Sequence, residues 1–140
     1  MDTKTVHILL VEDDDVDTEG IRRAFQRARI VNPLTRVIDG IEALEVLRSS
    51  DISRPYLILL DLNLPRMNGI EFLEELRADD QLHDSVVFVL TTSDDDRDKV
   101  AAYEKQIAGY MVKARAGEDF MKLIGLLDHY WRVVELPPEH

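Results

Sequence analysis

The sequence predicts an α/β domain built on a parallel sheet buried on both faces. Three observations carry that prediction. Five short, nearly continuous aliphatic runs recur along the chain. Each is followed by a stretch whose apolar residues recur at helical spacing. The runs also lack the apolar–polar alternation of a half-exposed strand, as expected where helices cover both sides of a sheet. Right-handed crossovers between such strands give an open α/β sandwich.

The elements follow in order. "VHILLV" (Val6–Val11) reads as the first strand, and "VDTEGIRRAFQRARI" as a helix with Ile21, Phe25 and Ala28 on its inner face. Asn32-Pro33 is a helix stop and turn, after which "LTRVI" (Leu34–Ile38) is a short strand. "GIEALEVLRSS" puts Ile41, Leu44 and Leu47 on one helical face, and "YLILL" (Tyr56–Leu60) is the third strand. "NGIEFLEELRAD" aligns Ile70, Leu73 and Leu76; "VVFVLT" (Val86–Thr91) is the fourth strand. "DDRDKVAAYEKQ" is a polar helix with Val100 and Tyr103 as expected anchors. "GYMVK" (Gly109–Lys113) is the fifth strand, and "GEDFMKLIGLLDHYWRVV" the last and most apolar helix.

Composition narrows the function. With 140 residues the chain fits one domain with its own core. The absence of cysteine excludes disulfides, thiolate metal sites and a cysteine nucleophile. The apolar run Ile8–Val11 is too short for a signal peptide, and no stretch reaches the roughly 18–20 apolar residues of a membrane span. A net charge of −11 argues against nucleic acid and anionic membranes as partners. These features together fit a cytoplasmic protein.

In an open parallel sheet the site lies beyond the carboxyl ends of the strands. Strand one ends in Glu12, Asp13 and Asp14; strand three in Asp61; strand four in Thr91 and Thr92; strand five in Lys113. Singly these are ordinary: acids cap helices, threonine favours strands, and lysine sits on surfaces. Together they deliver carboxylates, a hydroxyl and one ammonium to a single edge. Crowded carboxylates repel unless a cation joins them. Oxygen ligands of this kind suit Mg²⁺, and a carboxylate can act as nucleophile toward phosphorus. Phosphoryl transfer needs mainly positioning and charge neutralisation. No glycine-rich nucleotide loop is present.

These residues resemble the receiver domain of two-component response regulators. The likeness runs from about Val6 to Tyr130 through "ILLVEDDD", "LILLDLNLPRMNG", "VVFVLTTS" and "GYMVK", in order and at family spacing. It implies a flavodoxin-like, doubly wound five-stranded parallel sheet of order 2-1-3-4-5 with helices on both faces. Residues 1–140 would be one receiver domain, with a core of about 6–130 and a short C-terminal tail. The resemblance makes Asp61 the phosphoacceptor, presented in the open at the sheet edge. Asp13 would ligate Mg²⁺, Glu12 would act through metal-bound water, and Asn63 would offer its backbone carbonyl. The Asn63 side chain would lie where it affects hydrolysis of the acyl phosphate. Thr91 would be the hydroxyl that swings to the phosphoryl group, Lys113 its cationic partner, and Tyr110 the aromatic that moves inward with Thr91. Asp14 and Asp15 read as helix-cap acids.

The sequence departs from the family pattern in three places. Ala114 follows Lys113 where proline is usual, Asn68 stands in the "MNG" turn, and "KQIAGY" precedes strand five. The chain ends soon after the last helix, which implies a stand-alone receiver with no DNA-binding output. Its last helix and proline tail resemble regulators partnered with bacterial phytochrome kinases. A sensor histidine kinase, of the bacteriophytochrome type, is then the implied partner. Homodimers are implied through the fourth helix, fifth strand and last helix, with Phe120, Leu123, Leu127, Tyr130 and Trp131 as candidates for that surface. For Leu123 and Leu127 the domain's own core is the better reading. Trp131 and Val134 lie near the end, where a monomer offers less core.

Three other functions compete. A phosphohydrolase with an aspartate nucleophile would want a second acid two residues on, where this chain has Asn63. A Ca²⁺ loop in either acidic run lacks the required glycine, having Thr18 or Lys99 in its place. A degenerate receiver, acting as a constitutive interaction module, would need no intact residue set.

Overall fold

A computed structural model of the protein describes residues 5–113, 120–133 and 135–138. The described residues form five strands and five helices: β1 (His7–Val11), α1 (Asp15–Arg27), β2 (Leu34–Val37), α2 (Gly40–Arg48), β3 (Tyr56–Leu60), α3 (Gly69–Ala78), β4 (Val86–Thr91), α4 (Asp96–Glu104), β5 (Gly109–Val112) and α5 (Phe120–Val133). The strands make one parallel sheet in the order β2-β1-β3-β4-β5. Fold class and strand order are as expected.

The aliphatic runs are continuous because both faces are covered. Successive strand residues point to opposite faces. Ile8 and Leu10 therefore join Leu57, Leu59 and Leu90 in a cluster with Ile21 and Phe25 of α1 and Leu127 of α5. Leu9 and Val11 join Ile58, Leu60, Val87 and Val89 on the other face, with Leu44 of α2, Phe72, Leu73 and Leu76 of α3, and Ala102 of α4. Helix starts are fixed locally: Asp14, Asp39, Asn68 and Asp95 each cap a helix by accepting from a first-turn amide. Asn68 goes further, forming a reciprocal capping box with Glu71. The asparagine departure in that turn is thus a sound cap.

Two expectations need correction. Val100 and Tyr103 are not core anchors: they are 58% and 53% exposed, and Ala102 is the buried residue of α4. With so few apolar residues in that helix, spacing alone did not identify the inward face. Ile38 lies beyond β2 and is exposed. On α5, Leu127 is core, as preferred above, and Tyr130 stands edge-on to Phe88 of β4 with centroids 5.0 Å apart. Ala114 and Val134, and the side chains of Phe120, Leu123 and Trp131, lie outside the described residues. Among the described residues no helix is long and apolar enough to cross a membrane.

Candidate functional site

Strand register assembles the site. Val11 of β1 pairs with both Val37 and Leu60, so the residues that follow, Glu12 and Asp61, emerge side by side. Two further ladder bonds tie them down, Glu12 N–H to Val37 O and Asp61 N–H to Val11 O. Thr91 pairs with Val112, which brings Thr91 and the next residue, Lys113, to the same rim. Gly69 lets α3 start against this corner: a Cβ there would come within 2.7 Å of the Asp61 carbonyl oxygen and Leu62 Cα.

Each oxygen of Asp61 is engaged. Its Oδ1 accepts from Thr91 Oγ1 at 2.7 Å and from the Asn63 amide at 3.1 Å. Its Oδ2 accepts from Lys113 Nζ at 3.3 Å. Asp61 is accordingly 6% exposed. The carboxylate expected in the open is at the sheet edge but covered, because Thr91 and Lys113 lie on it.

Lys113 carries the only ammonium in this cluster of described residues. It donates to Glu12 Oε1, to Asp17 Oδ2 at 2.8 Å and to Asp61. Burial alone would lower its pKa, but the three carboxylates outweigh that and hold the ammonium charged well above its usual range. Glu12, 1% exposed, goes the other way: burial and then the nearby Asp61 charge raise its carboxyl to about 7, against the opposing pull of Lys113. Asp13 is exposed at the mouth of the site. Glu12, Asp13 and Asp61 each bring a carboxylate oxygen within 4.8 Å of the others. That donor set, oxygen alone and short of positive charge, fits a hard divalent cation. Among the described residues it is the one cluster with this property.

The remaining expected residues lie close by. Asn63 Nδ2 approaches Thr92 Oγ1 at 3.4 Å. Tyr110 is half-buried and donates its hydroxyl to Ser93 O at 2.9 Å. Asp14 caps α1, whereas Asp15 pairs with Arg36. The second acidic run is spent locally: Asp94 pairs with Lys99, Asp95 with Arg97, and Asp98 accepts from Ser93 Oγ. Sequence reasoning missed Asp17. It sits one turn into α1, where an acid reads as a response to the helix dipole, and only the fold brings Lys113 to it.

The chain matches the family model for the response regulator receiver domain over residues 8–125. It is 36% identical over 135 residues to Response regulator Rcp1 of Synechocystis sp., covering 93% of this chain and 92% of that protein. The crystal structure of the phosphorylated cyanobacterial phytochrome response regulator RcpA is similar at a TM-score of 0.85 and 32% identity, covering 96% of this chain and 99% of that one. The crystal structure of the Mn(2+)-bound form of Rcp1 is similar at a TM-score of 0.83 and 35% identity, covering 94% and 99%.

Proposed function

The chain belongs to the response regulator receiver family of two-component signalling, whose members are switches rather than classical enzymes, and from that premise we propose that it accepts a phosphoryl group on Asp61 from a histidine kinase. One observation carries the reading: Asp61 stands at a strand end with a hydroxyl 2.7 Å from one carboxylate oxygen and an ammonium on the other. A carboxylate oxygen attacks phosphorus. The O–P bond forms as the P–N bond to the kinase histidine breaks, and the imidazole leaves with the electron pair and takes up a proton. Oδ2, held only by the longer Lys113 contact, is the oxygen most readily freed for attack. Lys113 and Thr91 then donate to phosphoryl oxygens in place of Asp61.

Glu12, Asp13 and Asp61, with the Asn63 backbone carbonyl, would hold Mg²⁺, which when bound neutralises charge on the phosphoryl oxygens. The added charge, about −1.5 to −2 for protein phosphates in general, draws Thr91 and Lys113 to the phosphoryl group, and Tyr110 follows. The readout is a protein contact or dimer shift over α4, β5 and α5. Val100, Tyr103, Leu126 and Val133 are exposed there and offer apolar contact. The likeness to the cyanobacterial phytochrome response regulator RcpA supports a phytochrome-type kinase as partner, and the cytoplasm is the compartment this role requires.

Intact mass after incubation with acetyl phosphate, with and without Mg²⁺, tests the reading. A single phosphate adduct is expected in the wild type with Mg²⁺ and none in Asp61→Asn. An adduct that persists in Asp61→Asn would move the acceptor elsewhere. Absence of any adduct, where a known receiver is labelled in parallel, would favour the constitutive interaction module.

A further inference from the structure

Asp17 occupies the third position of α1, three residues after the cap Asp14. An acid at this position ordinarily reaches back to the amide of the capping residue. At the start of α3 this chain does so: the Asn68 amide donates to Glu71 Oε1 at 3.1 Å. At the start of α1 that amide is already taken, since Asp14 N–H donates to Glu12 Oε2 at 3.1 Å. Asp17 turns instead across the site to Lys113, and at 2.8 Å its contact is shorter than the 3.3 Å from Lys113 to Asp61.

An ammonium has three N–H donors and no acceptor. Two of those of Lys113 are committed to Glu12 and Asp17, which approach from β1 and α1, and the third points to Asp61. Two carboxyl anchors on separate elements fix the nitrogen in space, where a long lysine stem alone would leave it to wander. When phosphorus arrives at Asp61, only the third donor must change acceptor. We propose that Asp17 is a positioning residue for Lys113, holding the ammonium so that one N–H faces the phosphoryl group to be formed on Asp61. The inference rests on Asp61 being the phosphoacceptor. Asp17 is not one of the carboxylates grouped as suited to a cation.

Two readouts on one set of variants test it: Asp17→Ala, Asp17→Asn and Asp17→Glu, each with its fold checked by circular dichroism. The first is the ¹⁵N-lysine spectrum of the side-chain ammonium groups, with Lys113 assigned by its loss in Lys113→Arg. The Lys113 signal is expected to be sharp in the wild type, broadened in Asp17→Ala and Asp17→Asn, and restored in Asp17→Glu. The second is the initial rate of labelling by acetyl phosphate at saturating Mg²⁺. It is expected to fall about tenfold in Asp17→Ala, the scale of a slightly misplaced group, and to recover in Asp17→Glu. Mn²⁺ affinity, read by water proton relaxation, should hold within about threefold, because Asp17 is outside the metal donor set. Unchanged labelling and an unchanged Lys113 signal in Asp17→Asn would overturn the proposal. So would a loss of Mn²⁺ affinity as large as the loss of labelling, since Asp17 would then act on the ion. If the wild type takes no label, the phosphoacceptor reading fails, and the Lys113 signal alone decides whether Asp17 holds the ammonium.

Discussion

The two rims of the sheet handle buried charge in opposite ways. At the amino-terminal rim two guanidinium groups meet their acceptors. Arg77 gives its guanidinium to four backbone carbonyls, those of His83, Ser85, Lys105 and Gln106, at 2.7–3.0 Å. Arg54 donates to Asp84 and Gln81 O while lying 5.1 Å over the Tyr56 ring. At the carboxyl-terminal rim Lys113 serves Glu12, Asp17 and Asp61, with Asp13 close at hand. The first rim is complete in itself and acts as a fastening. The second has negative charge in excess, so a cation and a phosphoryl group can both change its balance. Unequal matching of charge, more than burial, separates the working end of this sheet from the structural one.

Arg77→Ala should give the largest effect on stability and so tests the division most severely. It strips a cation from four carbonyls that join the ends of α3 and α4 to the start of β4. Hydrogen bonds to a charged group are worth more than neutral ones, and a loss of about 3 kcal/mol in urea unfolding is expected. Arg77→Lys should not rescue it, because an ammonium lacks the planar fork that spans four acceptors. Labelling of Asp61 by acetyl phosphate, per folded molecule, should be unchanged. A labelling rate that fell with stability would show the two rims to be coupled and would break the comparison.

The rims should also respond oppositely to pH. Burial raises the native Glu12 carboxyl to about 7, above its ordinary value of 4.5. Between those values the native state binds more protons than the unfolded chain, so without a divalent cation Glu12 makes stability fall as pH rises. Mg²⁺ favours the ionised ligands, and the stabilisation it adds should grow toward pH 7. At the other rim, burial pushes Asp79 up, but the Gln81 amide and Arg48 outweigh it and hold its carboxyl below the usual range. Its contribution is present above the ordinary carboxylate pKa and is lost as pH falls through the lower native value. Thermal unfolding from pH 3 to 8, with and without Mg²⁺, separates the two windows. Glu12→Gln should flatten the upper one and leave the lower intact. An upper window that survived Glu12→Gln would place its source elsewhere.

What the sequence made legible follows from the same contrast. Strands β3 and β4 fall where their aliphatic runs predict, because burial on both faces leaves almost only apolar residues between the turns. Glu12, Asp61, Thr91 and Lys113 are brought together because parallel strands deliver their carboxyl ends to one rim. Side chains meeting backbone left no such trace. The partners of Arg77 are four carbonyls that any residues would supply, so no motif announces it. Asp17 looked like one more acid in a helix's first turn, and only the Asp14–Glu12 contact shows why it is free to turn away. In α4 the misreading of Val100 and Tyr103 has a plain cause: a helix that buries little but Ala102 carries almost no periodic signal.

The smallest expected effect refines the idea of a matched rim, because there the direction of a single proton decides the outcome. The Tyr56 hydroxyl lies 2.6 Å from Ser85 Oγ, and Ser85 Oγ donates to Leu82 O at 2.7 Å. Serine has one proton to give, so Tyr56 must be the donor to Ser85. Tyr56→Phe then removes a donor whose acceptor keeps its own bond, and a loss of about 1 kcal/mol is expected. Ser85→Ala leaves a buried tyrosine hydroxyl without its acceptor, while the Leu82 carbonyl keeps the residue-85 amide at 3.0 Å, and should cost more, about 2 kcal/mol. Because the tyrosine proton has nothing left to lose in the serine-free background, the double variant should be less destabilised than the sum of the two. Urea unfolding of the four proteins measures that cycle. Strict additivity would mean that the two hydroxyls act independently, and that the fastening at this rim is held by Arg77 and Arg54 alone.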